Sequence, residues 1–235
     1  LLRMEPIHMN LKNSIEYGPK TAISEEIDAI KYRAEGETFN MKVARIAHAL
    51  KDNEDHRVNF KDAIKHQRFL PAGRVQNAAG SARQTTAFNC FVSSNIEDDM
   101  KSIMGAAAEA AYTMRMGGGI GFNFSNLRPR GDLIKTLDSK ASGPISFMGI
   151  FDAVCKTIAS SGHRRGAMMG ILNIDHPDIE EFITAKNDST TLTGFNISIG
   201  VTDAFMIALR DGEQFPLEFE GRIYKYVDPV MLWEK

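Results

Sequence analysis

Apolar residues in the first third of the chain recur at helical spacing. "FNMKVARIAHALKDN" places Met41, Val43, Ile46, Ala47 and Leu50 nearly on one face of a helix. "ISEEIDAIKYRAEG" reads as a helix with Ser24 as its N-cap, acids in the first turn and Gly36 as its stop. "NFKDAIKHQRF" reads as a third, shorter helix. At "LPAGRVQNAAGSA" the texture changes to Gly, Pro and Ala, a loop-rich entry into a second region. The pattern therefore predicts a helical segment over 1–67 and a second region over 68–235.

In that second region β-rich runs alternate with helical ones. "TTAFNCFVS", "GIGFNFSNL", "GAMMGILNI" and "FNISIGV" read as strands. Between them, "DDMKSIMGAAAEAAYTMRMGGG" predicts a helix capped by Asp98 or Asp99. Its apolar stripe is Met100, Ile103, Met104, Ala107, Ala111 and Met114. "PISFMGIFDAVCKTIASSG" predicts another, on Phe147, Phe151, Val154 and Ile158, and "DHPDIEEFITAK" a third with Pro177 in its first turn. "TDAFMIALRDG" is a helix opened by Thr202 and closed by Gly212. Such alternation argues for α/β units with parallel strands. "FPLEFEGRIYKYV" reads as a hairpin around Glu220 and Gly221. "DPVMLWEK" then opens a helix at Asp228 and Pro229, with about seven residues before the sequence ends. A helix that short is well below the ~12–15 residues needed for marginal stability alone. With Leu1 in place of an initiating methionine, this raises the expectation of the N-terminal part of a larger unit.

Composition narrows the classes. A net charge of −2 over 235 residues gives no electrostatic footprint for DNA or a membrane surface. No apolar run approaches ~18 residues, and the first residues lack a basic segment followed by an apolar one. Two distant cysteines make neither a disulfide framework nor a zinc spacing, so a reducing, cytoplasmic setting is expected. The six histidines show no metal-binding grouping.

Three features carry candidate chemistry. Cys90 lies in a β-run that leads into an acid-capped helix, with Asn89 beside it. As a lone cysteine it also fits a core hydrophobe, the reading that Cys155 takes inside its helix stripe. Gly117, Gly118, Gly119 and Gly121 let backbone approach a ligand, or serve as a helix cap and turn; spacing alone does not choose. They precede a strand and are followed by no Gly-Lys-Ser/Thr, so they are neither a dinucleotide fingerprint nor a P-loop. Arg128, Arg130, Lys135, Arg164 and Arg165 punctuate loops, where forked cations suit phosphate oxygens.

In order and at natural spacing, "FLPAGRVQNAAG…TTAFNCFV", "GGGIGFNFSNLRPRGD", "ASGPISFMGIFDAV…SSGHRRGAMMGIL…HPDIEEFITAK" and "GFNISIGVTDAFM" resemble the large, catalytic chain of ribonucleotide reductase. The wording is closest to the adenosylcobalamin-dependent, class II branch, over about residues 60–235. The resemblance implies an α/β fold: a helical N-terminal segment, then the first half of a ten-stranded α/β barrel, incomplete at the C-terminus. It implies that Cys90 is one of two cysteines that reduce a ribonucleotide substrate and end as a disulfide. Asn89 and Gly119 match substrate-contacting positions. Asp98 matches the residue holding the deoxyribose of a dNTP or ATP effector, Arg128 an effector-phosphate arginine, and Lys135 a second basic contact. Residues 187–195 match the loop that relays effector identity to the substrate base, although Gly194 stands where many class II relatives have Asn. Helices 98–116 and 145–160 are implied as a homodimer face, and a thioredoxin-type protein as reductant. The radical-bearing cysteine and the partner of Cys90 are expected after position 235, in the C-terminal half of the catalytic chain. A chain without them is expected to be inactive alone. The competing expectation is a non-catalytic deoxynucleotide-binding regulatory module.

Overall fold

The computed structural model describes residues 17–134, 138–159, 167–188 and 190–235. The chain divides into two compact units, one up to Phe88 and one from Asn89 onward. The division falls later than the change of texture at residue 68. The short helix after that change packs with the first two helices of the chain.

The first unit is helical: α1 (Ala22–Tyr32), α2 (Phe39–Leu50), α3 (Glu54–Lys65) and α4 (Gly73–Ala78). Val43, Ile46, Ile64 and Ala79 form its core, backed by Phe39 and Val75. Met41 and Leu50, expected on the same face, are exposed. The cap of α1 is Thr21, not Ser24: the Thr21 hydroxyl accepts the Ser24 N–H at 3.2 Å, which puts Ser24 inside the first turn. α3 begins earlier than the apolar pattern indicates. Asn53 accepts the His56 N–H at 2.8 Å, and Glu54 and Asp55 suit the positive end of the helix. Lys42, almost fully buried, bonds to Asp28 and to Gln76 Oε1, so its charge is partnered.

The second unit contains β1 (Cys90–Val92), α5 (Met100–Arg115), β2 (Gly119–Asn123), β3 (Leu133–Ile134), β4 (Ser139–Lys140), α6 (Pro144–Ala159) and β5 (Met168–Asn173). It continues with α7 (Ile179–Thr184), β6 (Phe195–Gly200), α8 (Asp203–Asp211), β7 (Phe215–Phe219), β8 (Arg222–Val227) and α9 (Pro229–Glu234). The main sheet runs β1-β2-β5-β6, parallel throughout, as strand–helix alternation predicts. Its register sets Cys90 opposite Gly119, Ile120 opposite Met168, and Met168 opposite Phe195. The strand starts are therefore aligned along one end of the sheet. Phe122, Phe124, Phe151 and Phe195 form an aromatic centre between sheet and α6, with Phe122 and Phe151 4.9 Å apart, edge to face.

Two expectations change. The run at 85–93 shortens to three paired residues, because β2 starts only at Gly119, opposite Cys90, and the chain before it is turning out of α5. The buried face of α5 is Ile103, Ala106, Ala107, Ala110 and Met114, while Met100 and Met104 are exposed. Alanines on the inner face let α5 pack closely on α6. The hairpin of β7 and β8 is antiparallel, and Glu220 and Gly221 both take positive φ, 50° and 77°. Thr202 and Gly212 bound α8, and Asp228 caps α9 with Pro229 at its first turn, as expected. Among the described residues, no helix is long and apolar enough to cross a membrane.

Candidate functional site

The parallel sheet has two ends, and the predicted residues divide between them. At the end where strands begin, Cys90 opens β1 and Gly119 opens β2 beside it. The Gly119 N–H donates to the Asn89 carbonyl at 2.8 Å, so these three residues form one backbone unit. Asn89 and Cys90 are both exposed. Asn89 therefore needs no buried partner for its amide, which stands just outside the strand. Cys155 lies in α6, 2% exposed, and burial pushes its thiol above the ordinary value. Only Cys90 is presented to solvent.

The glycine run resolves into separate roles. The Gly118 N–H donates to Thr113 at 3.0 Å and the Gly117 N–H to Met114 at 2.9 Å, with Gly117 at φ 84°. This is a Schellman cap on α5. A Cβ on Gly118 would lie 2.6 Å from the Phe91 ring, so the cap is also packed against β1. Gly119 is held differently. Its missing Cβ would stand 3.2 Å from the Ala167 carbonyl, where β5 is about to begin.

Beyond the other end of β1 and β2 lie Asp98 and Arg128. The sequence left two candidates for the cap of α5; Asp99 takes that role, accepting the Ser102 N–H at 2.9 Å. Asp98 instead accepts from Arg128 twice, from its backbone N–H at 3.2 Å and its Nε at 2.5 Å. A cavity of about 460 Å³ opens here, lined by Asp98, Arg128, Asp132, Leu133 and Ile134, and by Phe219, Glu220 and Arg222 from the β7–β8 hairpin. Lys135 directly follows Ile134 but lies outside the described residues, as do Arg164 and Arg165.

Several residues that shape this end were not singled out in the sequence. His176, 2% exposed, donates from Nε2 to the Leu127 carbonyl at 2.9 Å, while its Nδ1 accepts the Asp178 N–H at 3.0 Å. Burial holds its pKa below the ordinary imidazole value. Asp178 accepts the Arg130 N–H at 2.9 Å, and burial raises its carboxyl. Together they fix the turn that carries Arg128. On the opposite wall Tyr224 donates to Asp132. Burial, then this bond, push the phenol up to about 12. Arg222 stacks on the same ring, 4.6 Å from its centre. At the Cys90 end, the 187–194 segment that the sequence singled out leads into the start of β6: the Gly194 N–H donates to Asp152 Oδ1 at 2.7 Å, and Leu192 is buried at φ 48°.

The sequence profile of the ribonucleotide reductase barrel domain matches residues 88–228, nearly all of the second unit. The chain belongs to the ribonucleotide reductase family. It is 41% identical to the vitamin B12-dependent ribonucleoside-diphosphate reductase of Mycobacterium tuberculosis (strain CDC 1551 / Oshkosh), over 64% of this chain and 22% of that one. A protein of the same description from Thermoplasma acidophilum is also 41% identical, over 76% of this chain and 24% of its own length. The chain thus spans about a quarter or less of these curated relatives. The class Id ribonucleotide reductase alpha subunit of Actinobacillus ureae shares the fold, with a TM-score of 0.72 at 24% identity, over 82% of this chain and 35% of that one.

Proposed function

We propose that this chain is the part of an adenosylcobalamin-dependent ribonucleotide reductase that carries one reducing thiol and the deoxynucleotide effector site. The supporting observation is the exposed Cys90, in register with Gly119 at the strand-start end of the sheet, in a chain whose other cysteine is buried. The strands described here form part of the first half of a ten-stranded barrel, completed by the C-terminal half of the catalytic chain.

In this reading a ribonucleotide lies against Asn89, Cys90 and Gly119, its 2′ face toward the Cys90 sulfur. A thiyl radical carried outside this chain removes the 3′-hydrogen and returns it once C2′ has been reduced. The 2′-hydroxyl then leaves as water. Cys90 and a second thiol, also outside this chain, supply two electrons and two protons and become a disulfide, which a thioredoxin-type protein reduces. The polar cavity of about 460 Å³ lies beyond the opposite end of the strands from Cys90 and is lined by carboxylates and arginines, an effector-sized site and not a corrin one. No residue described here is therefore assigned to holding adenosylcobalamin, which when bound supplies the radical. Its choice as cofactor rests on the relatives named vitamin B12-dependent.

A dNTP or ATP effector would occupy the cavity, its sugar on Asp98 and its phosphates on Arg128 and Lys135. α5 and α6 pack side by side and leave Met100, Met104, Tyr112 and Met116 exposed at intervals of four, eight and four residues, a face suited to a second copy in a homodimer. The setting is cytoplasmic, the substrate a small molecule, and neither DNA nor a membrane is a partner.

Cys90→Ser tests the reading. A hydroxyl cannot form the disulfide, so deoxyribonucleotide formed per folded assembly should collapse under multiple turnover while substrate affinity persists. Cys155→Ser should instead lose about 1–3 kcal/mol of stability, the cost of burying a hydroxyl without a partner, and keep turnover. Normal turnover by the Cys90→Ser assembly would show that this thiol is not a reductant.

A further inference from the structure

Asp152 is a buried carboxylate that neither the Cys90 end nor the Arg128 end of the sheet uses. It lies on α6, 5% exposed, next to Phe151 and Cys155 of the core. A carboxylate in such surroundings keeps its charge only if its oxygens are partnered. Oδ2 pairs with Lys156 Nζ at 2.7 Å, one turn along the same helix. Oδ1 accepts the Gly194 N–H at 2.7 Å, from a residue 42 positions away. The first is an internal helix pair; the second ties the helix to the exit of the 187–194 segment.

The approach of Gly194 is unusually close. A Cβ there would lie 2.9 Å from Asp152 Oδ1 and 2.9 Å from Cys155 Sγ. Its φ is not positive. Glycine is therefore needed for nearness and not for backbone conformation. On its other side the Gly194 carbonyl accepts the Met168 N–H at 3.0 Å, so the residue is gripped between α6 and β5. Leu192, buried, accepts the Phe195 N–H at 3.0 Å, and Lys186 Nζ donates to the Phe195 carbonyl. Among the described residues, the segment turns at Leu192 and its exit is anchored on α6. That exit opens β6 at the end of the sheet where Cys90 and Gly119 sit.

We propose that Asp152 is a positioning residue that fixes the exit of the 187–194 segment on α6. Through that bond a displacement of α6 is passed to the segment. The proposal rests on the resemblance above, in which α6 belongs to the homodimer face and the segment passes effector identity to the substrate base. The bond supplies a physical link between them.

Hydrogen–deuterium exchange on the assembled enzyme reads the anchor directly. Asp152→Ala should speed exchange in a peptide covering 190–196 by about tenfold or more, while the β7–β8 hairpin stays unchanged. Asp152→Asn keeps an acceptor oxygen and should restore exchange to near wild type. Unchanged exchange in Asp152→Ala overturns the anchor; a rise across the whole sheet also overturns it, because Asp152 is then only a core residue. In the same assembly Asp152→Ala should flatten the effector-dependent change in kcat/KM between substrates, with kcat for the best substrate kept. Faster exchange with an undiminished effector response overturns the coupling. A wild-type assembly that shows no effector response would instead overturn the underlying reading of the segment and leave the exchange result standing.

Discussion

Arg128 binds Asp98 through its backbone N–H and its Nε, which leaves the outer edge of the guanidinium for another acceptor. A planar fork used this way holds a carboxylate on one edge and a phosphate on the other, which a lysine at the same place cannot do. Arg128→Ala should therefore remove a charge-assisted contact worth roughly 1.5–3 kcal/mol, or about 10- to 150-fold in effector affinity. Calorimetric titration of the assembled enzyme with a deoxynucleoside triphosphate measures it, and an unchanged Kd would refute the assignment. Asp98 and Arg128 were marked as candidates by the family resemblance. Their pairing was not, because two adjacent aspartates fit the helix start equally well and only the fold sends one to cap α5 and the other to the arginine. His176 carried no signal at all. Its two partners are backbone groups, and nothing in side-chain spacing announces a bond to a carbonyl.

Elements bring the same residues under mechanical constraint. The Gly117–Gly118 cap ends α5 and stacks against Phe91, the residue after Cys90. Gly118→Ala forces a Cβ within 2.6 Å of that ring and should destabilise by about 1–3 kcal/mol. Gly121→Ala meets its nearest neighbour at 3.7 Å and should be close to neutral; thermal denaturation compares the two, and equal losses would contradict the packing account. The turn carrying Arg128 depends on neutral His176. Its folded pKa lies below the unfolded value, so the unfolded state binds the proton first. The stability it contributes is present above about pH 6.5 and is lost as pH falls below it. Asp178, with its carboxyl raised, acts in the opposite sense at lower pH, gaining from acidification. The stability gap between wild type and His176→Gln should therefore narrow from about pH 7 to 5.5, and a gap independent of pH would refute the linkage. Helix faces were read less well than helix positions. On α5 both Met and Ala are apolar, so periodicity could not tell that Ala106, Ala107 and Ala110 are buried while Met100 and Met104 point outward.

At the scale of the molecule, alternation of strand and helix was enough to predict a parallel sheet, because each strand must be followed by a crossover before the next can run beside it. It could not place the β7–β8 hairpin at the cavity, since which loops meet across a sheet end is decided by tertiary packing far from either in sequence. The fold likewise does not select the radical source. A class Id alpha subunit shares it at a TM-score of 0.72 with 24% identity, whereas the relatives at 41% identity are named vitamin B12-dependent. The branch assignment thus rests on residue identity to those relatives, and it makes a distinct prediction. Supplied with the remainder of the catalytic chain, a ribonucleotide and a dithiol reductant, the assembly should form deoxyribonucleotide when adenosylcobalamin is added and no second radical-bearing subunit is present. Turnover should depend on cobalamin concentration and saturate. The Cys90→Ser assembly should still consume the radical source on binding substrate, because its lesion follows hydrogen abstraction. Turnover that ignores adenosylcobalamin and requires a separate radical-bearing subunit would move the chain to another branch, with the roles proposed for Cys90, Asp98 and Arg128 unaffected.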